Sequence, residues 1–510
     1  MPDSKQKKSF SVYTAIAYVN APPHIGFAFE LLAADVLARY HRLNGYDVLF
    51  STGTDEHGTK VQRSAEKAGK DPKVFADEIS EKFKELTKAL NVSEDVFMRT
   101  TDPGHIKVVQ EIWKRADAAG DIYKKKYHGL YCVGCEAFLQ PSEIGDDDKC
   151  CVHGVKPEII EEENYFFRLS KYGPWLLEHL KQHEDFVRPV GRHNEIKALI
   201  ESGLEDVSIS RPVEKLSWGV PVPGDDSHVM YVWFDALTNY LSASGFLSDE
   251  KKFAQYWPAN VQILGQDILR FHAALWPAML KSAKLDIPKQ VYSHGFITNE
   301  GRKMSKSLGN VVDPFELAEK YGVDAVRYYL LAEIPFGDGG DFSEKRLIER
   351  YNSELGNNIG NLVARVLHMS HAFIGGKVPV DAKLDPAIES EAKKFFETYD
   401  NAVGDLRFHE ALAAVVKFAN VGNQFVDSHK PWELAKDKTK KAELESVLFT
   451  LQHIVLLVGA HLLPFVPESA HKIVSAFGQE NIQLDEARKL RLESGTTLAE
   501  KQIIFPRRDA

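Results

Sequence analysis

Cysteine is scarce, four in 510 residues, which is too few to staple a chain of this length with disulfides. Long apolar runs are missing as well. No stretch reaches the ~20 residues a membrane helix needs, and the longest candidate, 454–466, is interrupted by His461 and Pro464. Residues 1–8 are polar and lysine-rich with no hydrophobic signal core behind them, so a soluble, cytoplasmic chain is the expectation. There is no internal repeat and no low-complexity tract. Positive charge is not in excess: 63 Lys and Arg stand against 73 Asp and Glu, a net charge of −10. That balance excludes a protein that coats nucleic acid through bulk charge, though it leaves room for a local basic face. What is present is the composition of a globular protein, 44% hydrophobic and 27% charged, at a length that suggests three or four domains.

The organisation reads as an interrupted sheet followed by helices. Residues 13–19 form a strand. Beyond the turn Asn20-Ala21-Pro22-Pro23, Phe29, Leu32, Ala33, Val36, Leu37 and Tyr40 recur at helical spacing. A second strand, 47–52, runs into Thr52-Gly53-Thr54-Asp55-Glu56-His57-Gly58. Strand, helix, strand in this order starts a parallel sheet, with ligands expected at the carboxyl ends of its strands. Strands return at 261–264, opening a helix at Asp267, and at 291–297. Between these halves, 117–227 holds all four cysteines and reads as an insertion domain. The pattern beyond 343 is helical, with helices near 345–372, 386–404, 407–428 and 441–462 forming a bundle. The domains expected are a catalytic first half at 1–116, the insertion at 117–227, the catalytic second half at 228–290, a mobile loop-bearing linker at 291–345 and a helical domain at 346–510. The fold class is α/β, Rossmann-like, with a zinc-knuckle insertion and an all-α domain.

Three groups of residues carry chemistry. Pro23-His24-Ile25-Gly26 lies where the first strand gives way to a helix, whose free N–H groups and positive dipole end suit a phosphate. Gly26 permits close backbone approach, and His24 can donate to a phosphate oxygen. Gly301-Arg302-Lys303-Met304-Ser305-Lys306-Ser307-Leu308-Gly309-Asn310 is a cationic loop whose two lysines, three apart, can neutralise charge on a triphosphate under attack. Cys132-x-x-Cys135 and Cys150-x-x-His153 have the spacing of a tetrahedral Cys₃His zinc site. Cys151 is the spare thiol, and a closed four-ligand site makes the single zinc structural.

The first two groups resemble the signature pair of class I aminoacyl-tRNA synthetases, His-Ile-Gly-His and Lys-Met-Ser-Lys-Ser. The second is complete at 303–307. In the first, Phe27 stands where the family carries its second histidine, which helps hold the ATP phosphates. Together with Tyr231-Val232-Trp233-Phe234-Asp235-Ala236 and the run 52–58, the resemblance narrows to methionyl-tRNA synthetases and covers essentially the whole chain. It implies ATP binding by Pro23, His24, Gly26, Gly265, Asp267 (on the ribose), Lys303, Met304, Ser305, Lys306 and Ser307, with His24, Lys303 and Lys306 catalytic. It implies a methionine pocket of Ala15, Ile16, Tyr18, Asp55, Trp233, Ala236, Leu237, Tyr240, Ile268 and His272. Asp55 would face the α-ammonium, and Trp233 and Tyr240 the thioether sulfur. The zinc knuckle would orient the insertion over the acceptor end of tRNA. In the helical region Asn361, Arg365 and Trp432 match the anticodon-reading positions, where an exposed tryptophan offers a stacking platform.

The activity so implied is that of a methionine–tRNA ligase: methionine and ATP give methionyl-adenylate, and methionine passes to the 3′ end of initiator and elongator tRNA(Met). Magnesium accompanies ATP. A monomer is expected, with no membrane partner. Two alternatives share part of the pattern. One is a class I enzyme for another apolar amino acid, which needs a larger editing insertion than 117–227. The other is a catalytically weak tRNA-binding paralogue, which Phe27 would suit.

Overall fold

A computed structural model describes residues 7–133, 137–139, 144–145, 147–151, 154–304, 310–489 and 492–509. Cys135, His153, Ser305, Lys306 and Ser307 lie outside them, and Lys303 is described for its backbone.

Alternation along short apolar strands builds the central sheet. Val12, Val48 and Phe50 face one side, and Tyr13 and Leu49 the other, so each face has its own core. The strands are all parallel, in the order Val96–Arg99, Asp47–Asp55, Ser9–Thr14, Val261–Gly265, Val291–His294, Val187–Arg188. Ala17–Tyr18 runs beside the end of Asp47–Asp55. The chain leaves Ser9–Thr14 toward Asp47–Asp55 on one flank and reaches Val261–Gly265 on the other. A crevice therefore opens at the carboxyl ends between them, the switch point where parallel sheets take ligands.

The first helix, Ile25–Leu43, is buried on nearly every side from Ala28 to Ala38. It is a core helix, wedged between the sheet and the helix Val323–Glu333, which explains why its sequence is apolar beyond one stripe. The core it joins runs on without a break into the C-terminal bundle.

The insertion begins as a long antiparallel hairpin, Ile122–Cys132 with Glu158–Phe167, in register from Ile122↔Phe167 to Tyr131↔Glu158. The stretch 117–227 is not one insertion, however. Val187–Arg188 returns to the main sheet as its edge strand beside Val291–His294, and Gly173–Gln182 and Val190–Glu201 pack on that sheet's core. The boundary expected at 291 moves as well. Val291–His294 completes the catalytic sheet, and only Ile297–Asn299 belongs to the next small sheet, with Arg302–Lys303 and Gly340–Phe342.

Beyond it the helices fall where the pattern put them: Glu344–Arg350 continuing through a wide turn, Tyr351–Gly360, into Asn361–Ile374, then Pro386–Gly404, Phe408–His429 and Lys441–Leu462. Asp385 caps Pro386–Gly404 by accepting from Ala387 N at 2.8 Å, with proline in the first turn. The last long helix is apolar enough to cross a membrane by length and composition, yet 83% of its most apolar window is buried in the bundle.

Candidate active site

A cavity of about 460 Å³ fills the crevice. Its floor is the ends of three strands. Ala15, Ile16 and Ala17 follow Ser9–Thr14, Asp55 ends Asp47–Asp55, and Gly265 ends Val261–Gly265. One wall is the start of the first helix, with Pro23, His24, Gly26 and Phe27. The opposite wall is Trp233, Ala236, Leu237 and Tyr240, closed by Ile268 and His272. Asp267 and Met304 complete it. Every described residue expected to bind methionine or nucleotide lines this one space, apart from Lys303, whose backbone pairs with Thr298 in the adjoining small sheet.

His24 caps the first helix: its Nδ1 accepts the N–H of Gly26 at 3.1 Å. In the neutral ring the proton therefore sits on Nε2, which is left as a donor. Desolvation pulls its pKa below the ordinary value, against Asp267, which raises it. A Cβ at Gly26 would lie 3.0 Å from His24 Cε1, so glycine here is what lets the ring fold over the helix end. Gly265 has the same logic, since its Cβ would lie 2.9 Å from Asp267 Oδ1.

Asp55 and Glu56 separate by strand alternation. Asp55 faces the cavity. Glu56, fully buried, accepts from Arg99 Nε at 2.6 Å and Nη2 at 2.9 Å and from Thr54 Oγ1 at 2.8 Å. Across the cavity Trp233 stacks on Phe271, centroids 4.1 Å apart. His272 donates Nδ1–H to Ile268 O at 3.1 Å and accepts from Tyr240 Oη–H on Nε2 at 2.7 Å. Burial drives the His272 pKa down to about 4, so this wall is neutral and apolar, suited to an uncharged side chain. Ile268, Phe271 and His272 come from a helical segment that changes winding rather than the single helix expected from Asp267: a tight turn Gln266–Ile268, a wide turn Phe271–Leu275, then Trp276–Ser282. Pro277 lacks the N–H that would bond one turn back, which favours the widened turn before it.

Sequence reasoning passed over Glu30 and His294, which also line the cavity. His294 Nε2 donates to Glu30 Oε2 at 2.9 Å. Burial alone would lower the His294 pKa, but the Glu30 carboxylate raises it. Each had a signal: Glu30 is a charge amid the apolar positions of a core helix, and His294 ends a parallel strand. Lys60, its ammonium 5.3 Å from the centre of the Tyr18 ring, and Phe83 were missed too. Phe27 packs edge-to-face on Phe83, centroids 4.9 Å apart, so an aromatic contact takes the place of a donor.

Family models match nearly the whole chain: tRNA synthetases class I (M) over residues 10–147 and 141–367, and the anticodon binding domain of methionyl tRNA ligase over 378–508. The chain belongs to the methionine–tRNA ligase family. It is 44% identical to the methionine–tRNA ligase of Rhizobium meliloti, over 98% of each chain. It is 43% identical to that of Caldanaerobacter subterraneus, over 99% of this chain and 79% of that one. The structure matches Mycobacterium tuberculosis methionyl-tRNA synthetase in complex with methionyl-adenylate at a TM-score of 0.95, with 42% identity, covering 98% of this chain and 100% of that one.

Away from the cavity, Cys132 and Cys150 are buried together with Leu139, with the half-buried Ile144 packed against them, whereas Cys151 is exposed. Among the described residues no three His, Cys, Asp or Glu side chains gather as a metal site. Trp432, within the stretch matched by the methionyl-type anticodon-binding model, is 38% exposed, while Asn361 and Arg365 fall at the end of the stretch matched by the synthetase model, Asn361 exposed and Arg365 Nη2 donating to Asp427 at 2.8 Å.

Proposed function

We propose that this chain is a methionine–tRNA ligase that works through the cavity described above. It activates L-methionine with ATP to methionyl-adenylate and transfers methionine to the 3′ end of tRNA(Met), releasing AMP and pyrophosphate. The observation that carries the assignment of residues is that one crevice gathers an apolar, neutral slot, a carboxylate and a phosphate-facing helix end.

Methionine's ammonium pairs with Asp55, and its thioether lies against Trp233, Tyr240 and Ile268. Ala15, Ile16, Tyr18, Ala236, Leu237 and His272 shape the rest of the slot. A carboxylate oxygen of methionine attacks the α-phosphorus of ATP, and the bond to the β-phosphate oxygen breaks. His24 donates Nε2–H to the phosphates at the helix end formed by Pro23 and Gly26, and Asp267 beside Gly265 takes the ribose. Lys303 and Lys306, with Met304, Ser305 and Ser307 around them, neutralise charge as pyrophosphate leaves. The 3′ ribose hydroxyl of tRNA then attacks the adenylate carbonyl, and AMP departs. No side chain becomes covalent; positioning and electrostatics carry the rate. Magnesium travels with ATP and screens its phosphates.

The buried pair Cys132 and Cys150, and the exclusion of Cys151 from it, fit a structural zinc held by Cys132, Cys135, Cys150 and His153. Such a site holds the tip of the insertion hairpin in shape and performs no chemistry. Asn361, Arg365 and Trp432 read the anticodon. The working form is a cytoplasmic monomer.

Amino-acid-dependent ATP–pyrophosphate exchange tests the assignment, run with methionine, leucine, isoleucine, valine and cysteine. Exchange with methionine alone is expected. Exchange with a branched amino acid would give the pocket to another specificity, and silence with all five would leave a tRNA-binding paralogue.

A further inference from the structure

Behind the cavity, two histidines from distant parts of the sequence share one carboxylate. Asp235 is fully buried. His57 donates Nδ1–H to its Oδ2 at 2.7 Å, and His105 donates Nε2–H to its Oδ1 at 2.9 Å. Nδ1 of His105 lies 2.8 Å from Ser242 Oγ, which ties the cluster to the following helix, Asn239–Ser244. Burial alone would raise the Asp235 pKa, but the two histidines hold it below the ordinary carboxylate value.

The placement of this cluster is informative. His57 is two residues beyond Asp55, at the end of the strand that presents the carboxylate for methionine's ammonium. Its ring lies against Trp218, centroids 5.2 Å apart. Trp218 in turn donates Nε1–H to Glu56 O at 2.5 Å and accepts the N–H of Gly58 at 3.1 Å. Asp235 sits in Val232–Ala236, a helix of five residues with no side-chain cap. That is too short to hold its own geometry, yet its flanking residues Trp233 and Ala236 form the opposite wall of the cavity. One carboxylate therefore joins the amine-binding end of the pocket to its side-chain wall.

We propose that Asp235 is a positioning residue for methionine: through His57 it fixes the distance between the Asp55 carboxylate and the Trp233–Ala236 wall. This rests on the assignment of the cavity as the methionine pocket. Replacing the carboxylate by an amide keeps one acceptor oxygen but sets the other buried N–H against an NH2 donor, which frees the two walls to move apart. A misplacement of about 1 Å is enough to cost on the order of 100-fold in a positioned reaction.

Steady-state ATP–pyrophosphate exchange, with methionine and ATP varied in turn, tests this in Asp235→Asn, His57→Leu, His57→Asn and Asp55→Asn. Asp235→Asn is expected to raise the methionine KM roughly 10- to 100-fold while the ATP KM stays within about twofold. His57→Leu is expected to do the same. His57→Asn, whose side-chain amide places a donor near the Nδ1 position, keeps the methionine KM close to the parent's. A role in stability alone would lower the melting temperature and the active fraction without this split. The proposal is overturned if Asp235→Asn leaves the methionine KM unchanged or moves both KM values together. If Asp235→Asn does not fold, equal methionine KM values in His57→Leu and His57→Asn overturn it. Asp55→Asn separates the two readings. A raised methionine KM there, with none in Asp235→Asn, removes only the positioning role, whereas no change in Asp55→Asn removes the pocket assignment itself.

Discussion

Single atoms decide the geometry where the first helix meets the cavity. His24 keeps its Nε2 proton aimed outward because the Gly26 N–H occupies Nδ1. A methyl group at position 26 would press on the ring from 3.0 Å, turning it off the helix end and freeing Nδ1 to carry the proton instead. Gly26→Ala is therefore expected to lower kcat of ATP–pyrophosphate exchange by about 10²-fold, the loss seen when one aligned donor is removed from a developing charge, with the methionine KM little changed. Circular dichroism should show the fold intact, because the position is on the cavity side of the helix. At the other end, Tyr240→Phe deletes the hydroxyl that His272 Nε2 accepts from at 2.7 Å. His272, held neutral by burial, is then left with an unsatisfied buried nitrogen, a cost of about 1–3 kcal/mol. The expected result is a methionine KM raised roughly tenfold or more, read in the same exchange assay.

At the level of elements, the most consequential tie is a single arginine in the helix Val323–Glu333. Arg327 is fully buried and donates to Asp35 Oδ2 at 2.7 Å, Leu90 O at 3.0 Å, Pro464 O at 3.0 Å and Phe465 O at 2.7 Å. It thus pins the first helix, the end of Pro72–Ala89 and the bundle to one another. Arg327→Met leaves the carbonyls of Leu90, Pro464 and Phe465 without this donor, while Asp35 keeps Arg39 and the Ser93 N–H and hydroxyl, so a loss of at least about 1–3 kcal/mol in urea unfolding is expected. Burial alone would raise the Asp35 pKa, but the two arginines lower it. The stability this carboxylate contributes is accordingly present above the unfolded-state pKa near 3.9 and lost as pH falls through the lower folded value. The gap in melting temperature between the parent and Asp35→Asn should hold at neutral pH and close at acid pH. Elements of this kind also mark what could be read in the sequence. Pro386–Gly404 and Phe408–His429 were legible because amphipathic spacing and a cap or a terminal proline agree. Val187–Arg188 was not, because two residues carry no period and their pairing with Val291–His294 is decided a hundred residues away. The signature residues around the cavity were legible by motif. Glu30, His294 and the His57–Asp235–His105 cluster were not, because no spacing links residues that meet only once the sheet has closed.

Across the whole molecule the catalytic sheet and the helical bundle share one core, so the anticodon region packs on the catalytic half rather than hanging from a linker. That continuity separates two classes of defect. Damage to the shared core, as in Arg327→Met, should weaken both steps of the reaction, since it disturbs the helix that carries His24. Damage at the surface of the bundle should reach only the step that uses tRNA. Trp432 is the discriminating position: it is 38% exposed in the short helix Pro431–Leu434, while its neighbours Pro431 and Leu434 are the buried residues that hold that helix down. Trp432→Ala removes a stacking face worth about 1–3 kcal/mol per base and little packing. Aminoacylation is expected to show a KM for tRNA(Met) raised by roughly 5- to 150-fold, the same energy expressed as binding, while ATP–pyrophosphate exchange and the urea midpoint stay at the parent's values. A fall in the urea midpoint together with the loss of aminoacylation would instead make Trp432 a packing anchor of the bundle.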